Sequence, residues 1–288
     1  MLAASAPGVY TNSTEWSLHA TGLFQYIEQG ALYNALNFAV SPDQCHPCME
    51  MNSSIVKAIV RTFLCPSDGL AGNVNGDGDV SYHGSYGTTT GPIPTRPTSG
   101  IFNNDSTNHN VVVVGLRDVT DGTTNTIAFG EALVGESGWS QSDMRRNTIG
   151  FLPANTAINV QDAKTIYSTE LQALQQCSTQ AITMQANNGP GGAERGNQWY
   201  KGRMGITMFN TIVPPNSKDY KWSACIFGSG GASAGNAHFA KAISNHPGGC
   251  NFLLCDGSVR FIKDGINMLT YMSLGTKNGG EVVSADSY

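Results

Sequence analysis

The chain has 288 residues, a formal net charge of −5, and 13% charged against 40% hydrophobic residues. That length can bury a core as one large domain or two small ones, and the aromatic content and low net charge exclude a disordered chain. No basic stripe exists to neutralise phosphates, so a nucleic-acid partner is not expected.

With 34 glycines and many Asn, Ser and Thr residues, the composition is that of a loop-rich, β-containing extracellular protein. There is no run of about 18 apolar residues to span a bilayer. The opening segment, residues 1–7, is short and uncharged and lacks the apolar core of a signal peptide. An exported form would therefore carry its leader ahead of this sequence. The seven cysteines, at 45, 48, 65, 177, 225, 250 and 255, permit up to three internal disulfides and leave at least one thiol over.

In chain order, residues 16–38 read as the first helix, with Leu23, Ile27, Ala31 and Leu32 at helical spacing and Ser13 or Thr14 as cap. Residues 41–48 form a loop with two prolines. Residues 53–64 read as a short helix running into an extended segment. Residues 67–100 are nearly all Gly, Asn, Asp, Ser, Thr and Pro, and read as a long irregular excursion. Strands are expected at 111–116, 126–131 and 207–213. A helix is expected over 163–186, with Ile166, Leu171, Leu174 and Ile182 on its apolar face. Arg145-Arg146 reads as a solvated surface turn. Last comes a hairpin, 251–255 and 258–262, joined by a two-residue Asp256-Gly257 loop that needs positive φ at both positions.

Three motifs carry candidate chemistry. Asn73, Asn75, Asp77 and Asp79 set oxygens at alternate positions with Gly76 between, like the first half of a calcium loop, although Gly84 stands where a bidentate Glu is expected. A plain Gly/Asn/Asp-rich turn explains the same residues. Cys45-His46-Pro47-Cys48 is compatible with a structural disulfide, with Cys65 as a further candidate partner, with a redox pair, or with half a zinc site. No G-x-S-x-G, Walker loop, dinucleotide-binding glycine pattern or H-E-x-x-H is present, so no enzyme activity is expected. Trp139, Trp199 and Tyr200 would suit a sugar-binding surface if exposed, and a core if not.

His246-Pro247-Gly248-Gly249, with nine residues between the histidine and Asp256-Gly257, resembles the C-terminal signature of a planctomycete prepilin-like family of unknown function, also filed under a solute-binding-protein label. Further blocks agree with it in order. They are the segment from Tyr26 to Asn34, Phe63-Leu64-Cys65-Pro66-Ser67-Asp68, the run from Asp118 to Thr126 with Gly130-Glu131 after it, Asn210 with Pro214-Pro215-Asn216, and the tail Gly279-Gly280-Glu281-Val282-Val283.

The resemblance implies an α+β, pilin-like head. An N-terminal helix would pack on an antiparallel sheet in one domain spanning 1–288, with insertions at about 67–100 and 137–205. The family's membrane and filament helix is absent from this chain. The implied role is a non-enzymatic pilin- or pseudopilin-like structural protein of a type IV pilus or type II secretion-like system. It would be extracellular or periplasmic at the cell surface, with copies of itself or other pilin-like subunits as partners. An extracellular sugar- or solute-binding module is the alternative. His246, Asp256 and Gly257 are the signature residues. Calcium is the cofactor that the sequence suggests. His246 is expected to hydrogen-bond into the tight lead-in to the hairpin, with metal or ligand binding as its other reading.

Overall fold

The computed structural model describes residues 16–39, 52–72, 78–91, 97–103, 114–136, 143–186, 194–228 and 237–284, and for Phe151 and Thr156 the backbone only. The architecture is α+β. A five-stranded sheet contains β1 (Tyr82–Ser85), β2 (Ile127–Glu131), β4 (Met208–Phe209), β7 (Gly249–Leu254) and β8 (Val259–Lys263), in the order β4-β1-β2-β7-β8. Every pairing in it is antiparallel except β1 with β4. A smaller sheet holds β3 (Thr148–Leu152), β5 (Ala224–Phe227) and β6 (Phe239–Ala240).

The large sheet forms where alternation places one apolar face inward. Along β7, Cys250, Phe252 and Leu254 are buried while Asn251 and Leu253 are half-buried, the period-2 pattern of a pleated strand. Gly130 on β2 is required by its neighbours. A Cβ there would lie 2.8 Å from both Phe209 and Phe252 ring carbons, too close for any side chain. The residues 67–100, expected to be irregular, contain β1, which is paired on both sides. Its Tyr-His-Gly-Ser sequence is too polar to read as a strand, yet His83, Gly84 and Ser85 are buried.

The terminal hairpin is present with a different turn. The Leu254 N–H donates to the Ser258 carbonyl at 2.8 Å and the Gly257 N–H to the Leu254 carbonyl at 3.0 Å. Gly257 has φ +87°, while Asp256 does not have positive φ. The loop is thus three residues, Cys255-Asp256-Gly257, with glycine alone in the left-handed position, rather than a two-residue loop with both positions left-handed.

The expected helix over 16–38 is broken into a π turn (His19–Leu23), a 3₁₀ turn (Phe24–Tyr26) and α1 (Gly30–Ala35). Glu28, at φ +61°, interrupts it. Residues 16–20, Phe24 and Leu36 are buried here, and Phe24 packs on Phe63 and Trp199 with ring centroids 5.8 and 4.9 Å apart. Tyr26 is exposed. The 53–64 segment is one helical turn, α2 (Ser53–Val56), and a 3₁₀ turn at Arg61–Phe63. Of the expected strand 111–116, residues 111–113 lie outside the described residues, and Leu116 opens a 3₁₀ turn, Leu116–Asp118. The strand expected over 207–213 shortens to β4.

The second long helix, α3 (Tyr167–Ala186), follows a 3₁₀ turn at Ala163–Ile166. Its buried face is Glu170, Ala173, Leu174, Cys177, Ala181 and Met184, and Ile182 is exposed. The helix is rotated from the expected face because Cys177 is bonded to Cys225 of β5, which pins that side against the small sheet. A last helix, α4 (Met268–Gly275), starts at Asn267, whose side-chain oxygen accepts from Leu269 and Thr270 N–H groups at 3.0 and 3.3 Å, a standard N-cap. No helix among the described residues is long and apolar enough to cross a membrane.

Candidate functional site

Three segments remote in sequence meet at the end of β2. The first is the turn after Phe63. There Asp68 accepts from the Val134 N–H at 2.8 Å and pairs with the Arg146 guanidinium at 2.8 Å. This buried pair fixes the turn that presents Cys65 and Ser67. Arg146 is therefore a structural cation of the interior, not part of a solvated turn, and only Arg145 reaches out, pairing with Asp143.

The second segment is β2 itself, whose last residue, Glu131, is 4% exposed. Its Oε2 accepts the Asn251 N–H at 2.7 Å, and its Oε1 accepts from Asn251 Nδ2 at 3.2 Å. β7 thus orients the carboxylate through backbone and side chain together.

The third is the loop before β7. Asn216, held at φ +50°, accepts the Ser244 N–H at 2.9 Å and donates to the Gly249 carbonyl at 3.0 Å. Ser244 Oγ donates to the same carbonyl at 2.8 Å and accepts the His246 N–H at 3.2 Å. The backbone of His246 is bound into the lead-in to the hairpin as expected. Its imidazole instead turns to the other two segments.

The result is a converging set of unlike donor atoms. His246 Nε2 lies 3.0 Å from Glu131 Oε1 and 3.7 Å from Cys65 Sγ, and Cys65 Sγ lies 3.9 Å from Glu131 Oε1. Ser67 Oγ borders the group, 3.1 Å from the sulfur and 3.5 Å from Nε2. Cys65 and Glu131 are buried, and His246 keeps 33% of its side chain exposed, so the set opens to solvent on one side. Tyr82 lies close enough to feel the charges of this group. Burial first, then the charges of Cys65 and Glu131, push its phenol pKa upward, so it stays neutral.

A nucleophilic relay would need the histidine to contact the thiol through one ring nitrogen and the orienting carboxylate through the other. Here both acids address the same nitrogen. The three donor atoms therefore converge on a common point, as the ligands of an ion could.

The remaining expected site residues fall elsewhere. Asn73, Asn75 and Asp77 lie outside the described residues. Asp79 is buried, with its Oδ2 accepting the Gly72 N–H at 2.6 Å. Cys45 and Cys48 also lie outside the described residues. Cys65, expected as a disulfide candidate, is a free thiol, as are Cys250 and Cys255. Burial pushes the last two up to about 12, so they are inert as nucleophiles at neutral pH.

Asp256, the other half of the signature, is at the far end of β7 from His246, about 20 Å away at the rise of an extended strand. Its carboxylate accepts from the Ser258 N–H and hydroxyl at 2.9 and 2.7 Å, which makes it a turn residue. The 118–126 block supports that turn, as Asp256 N–H donates to Thr123 and Cys255 N–H to Thr126 at 3.1 and 2.9 Å. Trp199 and Tyr200 are buried in the core beside Phe24, not available for stacking on a ligand, and Trp139 lies outside the described residues. Glu131 had no role assigned from sequence. The available signal was an acid closing an otherwise apolar strand, Ile-Ala-Phe-Gly-Glu.

An α+β protein with a Cys, Glu and His cluster joining the end of β2, the loop before β7 and the turn after Phe63 is the class that the fold and site define. The chain matches the family model described as a protein of unknown function (DUF1559), which carries a bacterial solute-binding-protein label, over residues 3–209 and 215–269. It belongs to that family. No curated protein and no solved structure matches it.

Proposed function

We propose that this chain is the exported head of a pilin- or pseudopilin-like structural protein from the planctomycete set. In this reading it has no enzymatic activity and serves a type IV pilus or type II secretion-like assembly at the cell surface. The observation that carries the reading is the buried Cys177–Cys225 bond between α3 and β5. Such cross-links persist in oxidising surroundings and are rare in the cytosol. Further support comes from the edge strand β8, where Val259 and Phe261 are 65% and 45% exposed. An apolar edge is what a subunit uses to meet another copy or a related subunit.

A solute-binding role is the second reading. It is favoured by an apolar pocket of about 290 Å³ whose lining includes His19, Leu23, Phe63, Tyr82, Phe129 and Phe252. The two readings separate by locating the protein in its native cells with labelled antibody. Filament or envelope-associated label with a basic leader and apolar helix encoded upstream supports the structural role. Label confined to the cytoplasm contradicts both, and soluble periplasmic label with a bound small molecule favours the second.

A further inference from the structure

We infer that Cys65, Glu131 and His246 form a zinc-binding site, a property independent of the pilin-like reading. Zinc bound at about 2.3 Å to sulfur and 2.0–2.1 Å to nitrogen or oxygen in a tetrahedron separates sulfur from either lighter ligand by about 3.5 Å, and nitrogen from oxygen by about 3.3 Å. The three separations here are 3.7, 3.9 and 3.0 Å. Adjustments of a few tenths of an ångström would seat the ion without moving the backbone.

The donor chemistry selects the metal. A thiolate with an imidazole suits zinc and disfavours calcium and magnesium, which take oxygen ligands only. The outer partners are also in place. Asn251 fixes Glu131 by two hydrogen bonds, and Ser244 fixes the His246 backbone, the kind of support that orients ligands before the ion arrives. The exposed side of His246, bordered by Ser67, leaves the fourth position to a water or an incoming ligand. The ion would tie the 63–68 turn to β2 and to the lead-in of β7.

The test uses the full chain, stripped with chelator and titrated with zinc by calorimetry and with cobalt(II) by visible spectroscopy. The variants are His246→Gln, Glu131→Gln, Cys65→Ser, and a Cys45→Ser/Cys48→Ser double variant that controls for the other cysteine motif. Each fold is verified by near-ultraviolet circular dichroism. His246→Gln is at a half-exposed position and keeps the test valid should Cys65→Ser or Glu131→Gln not fold. The site predicts one zinc per chain that survives the double variant and loses more than about 100-fold in affinity in His246→Gln, since even supporting residues are worth 10–100-fold. Cobalt should give a thiolate charge-transfer band, absent in Cys65→Ser. Zinc binding unchanged in His246→Gln, or abolished by the double variant, would overturn the site. So would a cobalt complex without thiolate absorption.

Discussion

Glu131 and His246 lie 115 residues apart in sequence and 3.0 Å apart in space. The contact joins the last residue of β2 to the loop that launches β7. The same carboxylate accepts the Asn251 N–H on β7, so it binds that strand both before and after its first turn of pleat. Glu131→Ala should therefore lower stability by about 2–3 kcal/mol, the cost of leaving a buried amide donor unpaired. Glu131→Gln, which keeps an acceptor, should cost less. Urea denaturation of the metal-free chain measures both.

Asp68 and Arg146 form a buried pair, with side chains 1% and 9% exposed. Removing one partner strands the other charge in the interior. Arg146→Ala should destabilise by about 3–5 kcal/mol, whereas Arg145→Ala, at the exposed neighbour, should change stability by less than about 1 kcal/mol. Equal effects in thermal melts would contradict the division of labour between the two arginines.

Cys177 and Cys225 are 48 residues apart. Loop-closure entropy for a loop of that size predicts a loss of about 4 kcal/mol when the bond is removed. Cys177→Ala/Cys225→Ala should melt well below the parent, and reducing agent should lower the parent but not the variant.

Glu170 on α3 is fully buried, with neither carboxylate oxygen hydrogen-bonded among the described residues. Burial pushes its carboxyl up to about 8 from 4.5. The folded chain holds this proton where the unfolded chain has released it. Between pH 4.5 and about 8 unfolding sheds a proton, so this group's contribution to stability falls as pH rises through that window and is flat above it. Lys241, lowered to about 7 mainly by its own burial, slopes the opposite way, because its unfolded form takes up a proton. The difference between the parent and Glu170→Gln isolates the acid. Glu170→Gln should gain on the parent as pH rises from 5 to 8, and a constant difference in urea midpoints would contradict the buried, protonated carboxyl.

Gly257, at φ +87° with open space around it, fails to accept a side chain only for backbone reasons. Gly257→Ala should cost about 1–2 kcal/mol from left-handed strain. Asp256→Gly should be milder, since Asp256 does not occupy that region.

The terminal hairpin, the strand ending at Glu131 and the helix up to Ala186 were legible because their signals are local: alternation, a turn glycine and helical spacing. The broken first helix was not, since Glu28 takes a left-handed conformation that no residue-type preference announces. β1 was hidden by its polarity, which is tolerable only because partners on both sides satisfy its backbone. His246 and Cys65 were singled out from sequence, the first as a turn residue with metal or ligand binding as its other reading, the second as a disulfide candidate. What joins them to Glu131 is sheet order, with β2 beside β7, and no spacing along the chain records that. Rotation of α3 likewise depended on a disulfide whose pairing spacing does not give.

X-ray absorption at the zinc edge of the zinc-loaded full chain tests the cluster most directly. The geometry predicts one sulfur near 2.3 Å with nitrogen and oxygen neighbours near 2.0–2.1 Å, and loss of the sulfur shell in Cys65→Ser. A shell with two or more sulfurs, or with none, would contradict a centre built from Cys65, Glu131 and His246.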